Sequence, residues 1–324
     1  MTIRIGRREL ITALGGTVVA WPLAAYAQQG KVWRIGLLDL GNADAQSFST
    51  ELREGLRKNG YIEGQNIEYA FRSSDNIANL PKLAAELVGL KVDVLVALYS
   101  PCALAAQQAT REIPIVTISG DPVGLGLVAS LARPGGNITG ISLMAAELHG
   151  KCVELIHDML PSAHRVAVIA NSADALTNLL IEKVRLAGGT TGIEIAPVVI
   201  VGGKDELDAA FSKAKEERAD AVVVQASLPA QRVVDLAFKY RLPVATVSRS
   251  FAEVGALMSY GVDGPDTFRL SAVFVQKILQ GSKPADLPVE QPTKFELVIN
   301  LRTAKTLDLK IAESFLLRAD AVIE

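Results

Sequence analysis

The side chains through which this chain could do chemistry fall in six short polar clusters: Asp39 with Asn42 and Asp44, Tyr99 with Ser100, Ser119 with Asp121, Asn171 with Ser172, Gln225 with Ser227, and Ser248 to Phe251. Each follows closely on a run rich in Val, Ile, Leu or Ala, and Asp263 adds a seventh position ahead of Gly264-Pro265. Hydroxyls, amides and carboxylates of this kind exchange hydrogen bonds, and few titrate near neutral pH. The set is equipped to hold a small molecule and poorly equipped to move protons. Arg249 could clamp a carboxylate in two-pronged fashion, which predicts that Arg249→Ala abolishes binding of carboxylates. Asp44, Asp121 or Asp263 could receive an ammonium, and Tyr99 offers a stacking face for a ring. Each position also has a plainer role: Ser100 and Ser172 as helix caps, Asp121-Pro122 as a turn opener, Arg249 in a surface ion pair.

Patterns of catalysis are missing. No Gly-x-Ser-x-Gly elbow, Walker loop or strand-linked Gly-x-Gly-x-x-Gly occurs, and the glycine-rich Gly120 to Gly126 lacks the phosphate-loop lysine. His149, His157 and His164 do not share one helical face with further ligands. His149 and Cys152 lie one turn apart, but two ligands are too few for a metal, so both read as surface or packing residues and no cofactor is expected.

Those clusters must be positioned by something, and the runs before them say what. From Val32 onward, strand-like runs alternate with longer amphipathic stretches, the signature of repeated β-α units around parallel sheets. Strands are expected at Trp33–Leu38, Asn66–Arg72, Val92–Ala97, Ile115–Ile118 and Ile138–Leu143, and then at Val166–Ala170, Glu194–Ile200, Ala221–Gln225, Val244–Val247 and Lys294–Asn300. Helices fall between them, including Ala43–Asn59, Ala145–Met159, Ala173–Ala187 and Pro265–Leu279. The break Arg133-Pro134-Gly135-Gly136-Asn137 separates two series. In open parallel sheets, ligands bind beyond the carboxyl ends of the strands, which is where the polar clusters stand.

Bulk properties narrow the class. The formal charge of −2 leaves no basic footprint for nucleic acid or an anionic membrane surface. Arg4, Arg7 and Arg8, the apolar Leu10 to Ala20 and the small-residue site Ala25-Tyr26-Ala27 form a three-part export leader, with Arg7-Arg8 twin-arginine-like and cleavage expected before Gln28. The rest divides most easily into two domains. Cys102 and Cys152 fall in different halves, and both are expected free even in an oxidising compartment.

Several strings resemble a known family: Arg7-Arg8-Glu9-Leu10-Ile11, Gly60-Tyr61-Ile62-Glu63-Gly64-Gln65-Asn66-Ile67, Asp121-Pro122-Val123-Gly124, Leu131 to Gly140, Leu257-Met258-Ser259-Tyr260-Gly261 and Lys283 to Leu301. Together they resemble the ABC transporter substrate-binding proteins that include tryptophan and tyrosine binders, over essentially the whole chain. The resemblance implies an α/β fold of two doubly wound parallel-sheet lobes joined by a three-strand hinge, the periplasmic-binding protein type I fold. Lobe 1 is then residues 31–143 plus 262–283 and lobe 2 residues 144–261 plus 284–324, after a leader over residues 1–27. It further implies a periplasmic monomer that takes a small-molecule ligand, an amino acid or small aromatic carboxylate, and delivers it to an ABC permease, touching membrane components only peripherally. An exported α/β enzyme using Asp121 with Arg249, or the sensing subunit of a membrane receptor, are the alternatives.

Overall fold

The computed structural model describes residues 31–41 and 44–324; the expected leader and Asn42 lie outside the described residues. Five strands form the first sheet: β1 (Trp33–Asp39), β2 (Ile67–Ser73), β3 (Val94–Leu98), β4 (Ile115–Ser119) and β5 (Ile138–Ser142). They run parallel in the order β2-β1-β3-β4-β5. The central strands are buried along their whole length, which is why they read as unbroken Val, Ile and Leu rather than as alternation. Covering them are α1 (Asp44–Lys58), α2 (Leu80–Gly89) and α3 (Ser100–Ala109).

The second sheet holds seven strands in the order β12-β11-β10-β9-β8-β6-β7. These are β6 (Arg165–Asn171), β7 (Glu194–Val201), β8 (Ala221–Val224), β9 (Val244–Thr246), β10 (Met258–Val262), β11 (Phe295–Asn300) and β12 (Ala321–Ile323). Its helices are α4 (Ala145–Met159), α5 (Thr177–Thr191), α6 (Leu207–Glu216), α7 (Ala230–Tyr240) and the short α8 (Arg249–Val254). The sheet is parallel except where β11 lies antiparallel to β10, because the chain reaches β11 from the other lobe.

That excursion is α9 (Gly264–Leu279), which leaves the second sheet and packs on the first. Gly55 in α1 makes the docking close: a Cβ there would stand 2.7 Å from that of Ala272. Phe48 meets Phe268 edge to face at 5.6 Å, and Glu51 pairs with Arg269 at 2.8 Å. The chain therefore crosses between lobes three times, after Ser142, at Asp263 and after Glu290. The third crossing comes later than residue 284, because Val289 packs in the first lobe's core and Glu290 bridges to Ile141 beside β5.

Further differences from the sequence reading are confined to single elements. The helix expected from Ala173 begins at Thr177, since residues 173–176 form a turn held by the Asn171 and Asp174 side chains. The stretch after Asn300, helical in its sequence pattern, instead holds α10 (Leu301–Thr306), α11 (Glu313–Leu316) and the edge strand β12. Met258–Val262, passed over as a strand, is β10, and Arg249–Val254 forms α8.

Each lobe has apolar clusters on its sheet faces, and Cys102 and Cys152 are buried, free, and on opposite lobes. Burial pushes the Cys152 thiol up to about 12 and that of Cys102 well above its ordinary value. No helix among the described residues is long and apolar enough to cross a membrane.

Candidate functional site

The carboxyl ends of the two sheets face a common cavity of about 280 Å³, lined from both lobes. On the first lobe's wall, β3 ends at Leu98 and Tyr99 turns the chain into α3 with φ 72° and ψ 160°. A bulky side chain seldom adopts that backbone, and holding it there costs on the order of 1–3 kcal/mol. The Tyr99 hydroxyl donates to the carboxylate of Asp44, at the start of α1. The same carboxylate oxygen accepts a bond from the Ser248 hydroxyl of the second lobe at 3.3 Å, and Ser248 meets Ser250 at 2.8 Å. Asp44 thus ties the lobes together across the cavity wall. The walls also touch where Gly120 faces Leu176: a Cβ at Gly120 would fall 2.2 Å from the Leu176 Cδ1.

The second lobe's wall is more deeply buried. Asp174 is 8% exposed, and burial raises its carboxyl pKa even though the Leu176 amide, Ser227 and Gln225 offset part of the penalty. Gln225 is held by its carbonyl oxygen, which accepts from the Asn171 amide and the Thr177 hydroxyl, both at 2.9 Å. His149, on the first turns of α4, is 2% exposed. Burial lowers its pKa to about 4, against a smaller opposite effect of the Ala145 and Val224 carbonyls, so the ring is neutral at physiological pH.

Of the residues singled out from sequence, Asp44, Tyr99, Ser100, Gln225, Ser227, Ser248, Arg249 and Ser250 line the cavity. Ser100 is also structural, its hydroxyl accepting the Gly120 amide at 3.0 Å. Four of the others close their own loops. Asp39 is buried and accepts from the Gly41 amide at 2.7 Å and the Ser73 hydroxyl at 2.5 Å. Asp121 accepts from the Gly124 amide at 2.8 Å, Asn171 from the Ala173 amide at 3.0 Å, and Asp263 from the Asp266 amide at 3.0 Å, capping α9. Ser119 is fully buried and Ser172 is exposed, both outside the cavity lining. A strand end followed by a helix needs its amides capped whether or not a ligand binds, so short polar residues there are ambiguous from sequence.

The largest revision concerns Arg249. Its guanidinium bonds Glu253 at 2.8 Å and also Glu296, so two carboxylates already compete with any carboxylate of a ligand. Sequence reading passed over Asp174, placed inside a helix that starts three residues later, and His149, weighed as a metal ligand and read as a surface or packing residue. Its one available sign for Asp174 was distance from a strand end. For His149 there was none, since which helix face meets the cavity is a tertiary fact. Among the described residues no group of three His, Cys, Asp or Glu is disposed to hold a metal ion.

The ABC transporter substrate binding protein family matches residues 44–323, and the chain belongs to that family. A tyrosine-binding protein of Clostridioides difficile is 28% identical over 265 residues, which is 79% of this chain and 75% of the relative. A conserved domain protein from Vibrio cholerae superposes with a TM-score of 0.85 at 29% identity, covering 90% of this chain and 100% of that one. An ABC domain in complex with L-Trp from Streptococcus pneumonia superposes with a TM-score of 0.84 at 25% identity, again over 90% of this chain and 100% of the other. The two parallel-sheet lobes are those of the type I periplasmic-binding fold, and the family is one of extracytoplasmic proteins that bind small molecules.

Proposed function

We propose that this chain captures an amino acid with an aromatic side chain between its lobes, in the periplasm, and presents it to the permease of an ABC importer. The observation that carries this reading is Asp44, which sits on the cavity wall and bonds Tyr99 in one lobe and Ser248 in the other. An ammonium at that carboxylate contacts both lobes only when they are closed, so binding favours closure by differential affinity. The α-carboxylate is received by the amides of Ser100 and Ala146, at the starts of α3 and α4, both of which line the cavity. Leu40, Leu143, Leu180 and Phe268 supply an apolar enclosure for a ring. Relatives that bind tyrosine and tryptophan support this ligand class.

The moving bodies are residues 31–143 with 262–290 and residues 144–261 with 291–324, and the protein acts as a monomer. Export by the leader over residues 1–27, with cleavage before Gln28, puts the cavity where a permease can be supplied. A sensing role would use the same cavity with a different membrane partner.

Thermal-shift measurements with L-tryptophan, L-tyrosine and glucose test the ligand class. A ligand at about 100 times its Kd stabilises by roughly 2.7 kcal/mol. The expected result is a rise in Tm with at least one aromatic amino acid, none with glucose, and loss of the rise in Asp44→Ala. A response to glucose alone would overturn the reading.

A further inference from the structure

The buried imidazole of His149 is not used by the ligand contacts described above, yet it lines the cavity. Its Nδ1 lies 2.6 Å from the Ala145 carbonyl oxygen, one turn earlier in α4. A carbonyl can only accept, so the tautomer that makes this short bond carries its proton on Nδ1. In a neutral ring that leaves Nε2 as a bare acceptor. Nε2 is buried and has no hydrogen-bond partner within the protein. The nearby Val224 carbonyl, which accepts the Thr246 hydroxyl at 2.9 Å and has a second lone pair, could pair only with an Nε2–H, the opposite tautomer, and so does not satisfy a bare Nε2. The Ser227 hydroxyl, also buried in the lining of this cavity, leans on the Asp174 carboxylate. Buried polar atoms are nearly always paired, and an orphaned acceptor on a residue that lines a cavity asks for a donor from whatever fills it.

We infer that His149 is a specificity-determining residue that selects ligand side chains ending in an N–H or O–H donor, which Nε2 accepts. The inference rests on the amino-acid reading of the cavity and deepens it: an indole or a phenol satisfies Nε2, whereas a plain phenyl ring leaves it desolvated and unpaired. A site built to accept such a donor rejects the analogue that lacks it far more strongly than an apolar pocket rejects a missing methylene.

The test compares L-tyrosine, L-tryptophan and L-phenylalanine by calorimetry on the purified protein, with histidine ¹⁵N NMR on the same samples. Phenylalanine is expected to bind about tenfold or more weakly than the better of the other two, and His149→Phe to collapse that ratio. The free protein is expected to show His149 as the Nδ1–H tautomer. Its Nε2 resonance should move on addition of the tighter donor-bearing ligand and stay in place with phenylalanine. If His149→Phe does not fold, the NMR arm on the unaltered protein still decides. Equal affinity for all three, or an Nε2–H tautomer, would overturn the role of His149 and leave the aromatic amino-acid reading standing. Binding of none of the three would overturn both.

Discussion

The first lobe meets the cavity with Tyr99 and Asp44, both partly exposed and bonded to each other, whereas the second meets it with His149 and Asp174, both almost fully buried. Both walls grow from the same unit, a parallel strand whose carboxyl end turns into a helix or the loop before one. The difference lies in how far each polar group can change partners. Asp44 faces both lobes and can exchange the Ser248 hydroxyl for an ammonium with little loss. His149 and Asp174 are held by their own lobe's packing, so whatever they demand of a ligand is demanded in one fixed geometry. One wall is suited to closing and the other to choosing.

The strongest way to sharpen that contrast is pH. His149 has a folded pKa of about 4 against an ordinary 6.5, so below pH 6.5 the unfolded chain binds the extra proton first. The stability it contributes is present above pH 6.5 and lost as pH falls toward 4, about 3 kcal/mol in all. Asp174 works the other way: its raised pKa favours the protonated form, so its contribution is present below the ordinary carboxyl range and fades as pH rises through the folded value. Urea unfolding at pH 7 and pH 4 should therefore show an acid loss that is much smaller in His149→Phe. Identical losses in the two proteins would mean that the second wall is not the rigid, dry surface described.

A smaller effect is expected where the walls touch. Gly120→Ala introduces a Cβ that overlaps Leu176 of the opposite lobe, a clash that vanishes when the lobes part. Affinity for the ligand should fall about tenfold while the Tm of the ligand-free protein stays within a few degrees, since closure rather than folding bears the cost. A large drop in Tm without ligand would show that the lobes are one rigid body and break the comparison. The smallest effect belongs to Ser248→Ala, which removes a long, partly buried bond to Asp44 and the hydroxyl contact with Ser250. About a twofold loss of affinity is expected by calorimetry, and a loss as large as that of Gly120→Ala would make Ser248 a direct ligand contact.

Much of the scaffold could be read before any coordinates. Buried parallel strands must be continuously apolar, so Val94–Leu98 and Ile115–Ser119 stand out in the chain, and Ala145–Met159 was bounded correctly by its periodicity and the proline that follows. Short elements were not legible. α8 has six residues and β12 three, and both exist because the neighbouring sheet gives them something to pack on. In the site, Tyr99 and Gln225 were found because they sit at strand ends. The polar residues that instead cap their own loops, such as Asp39 and Asp263, have the same sequence signature.

The sequence alone determined that there would be two α/β lobes with hydrogen-bonding loops at their strand ends, because the spacing of apolar runs and turn residues is a local property that sterics and burial translate directly. Only the tertiary structure decided that Arg249 is occupied by Glu253 and Glu296, that Asp44 reaches Ser248 across 204 residues of chain, and that His149 lines the cavity. Charge pairing and desolvation depend on distances between atoms far apart in the chain, and no periodicity within a single element encodes those distances.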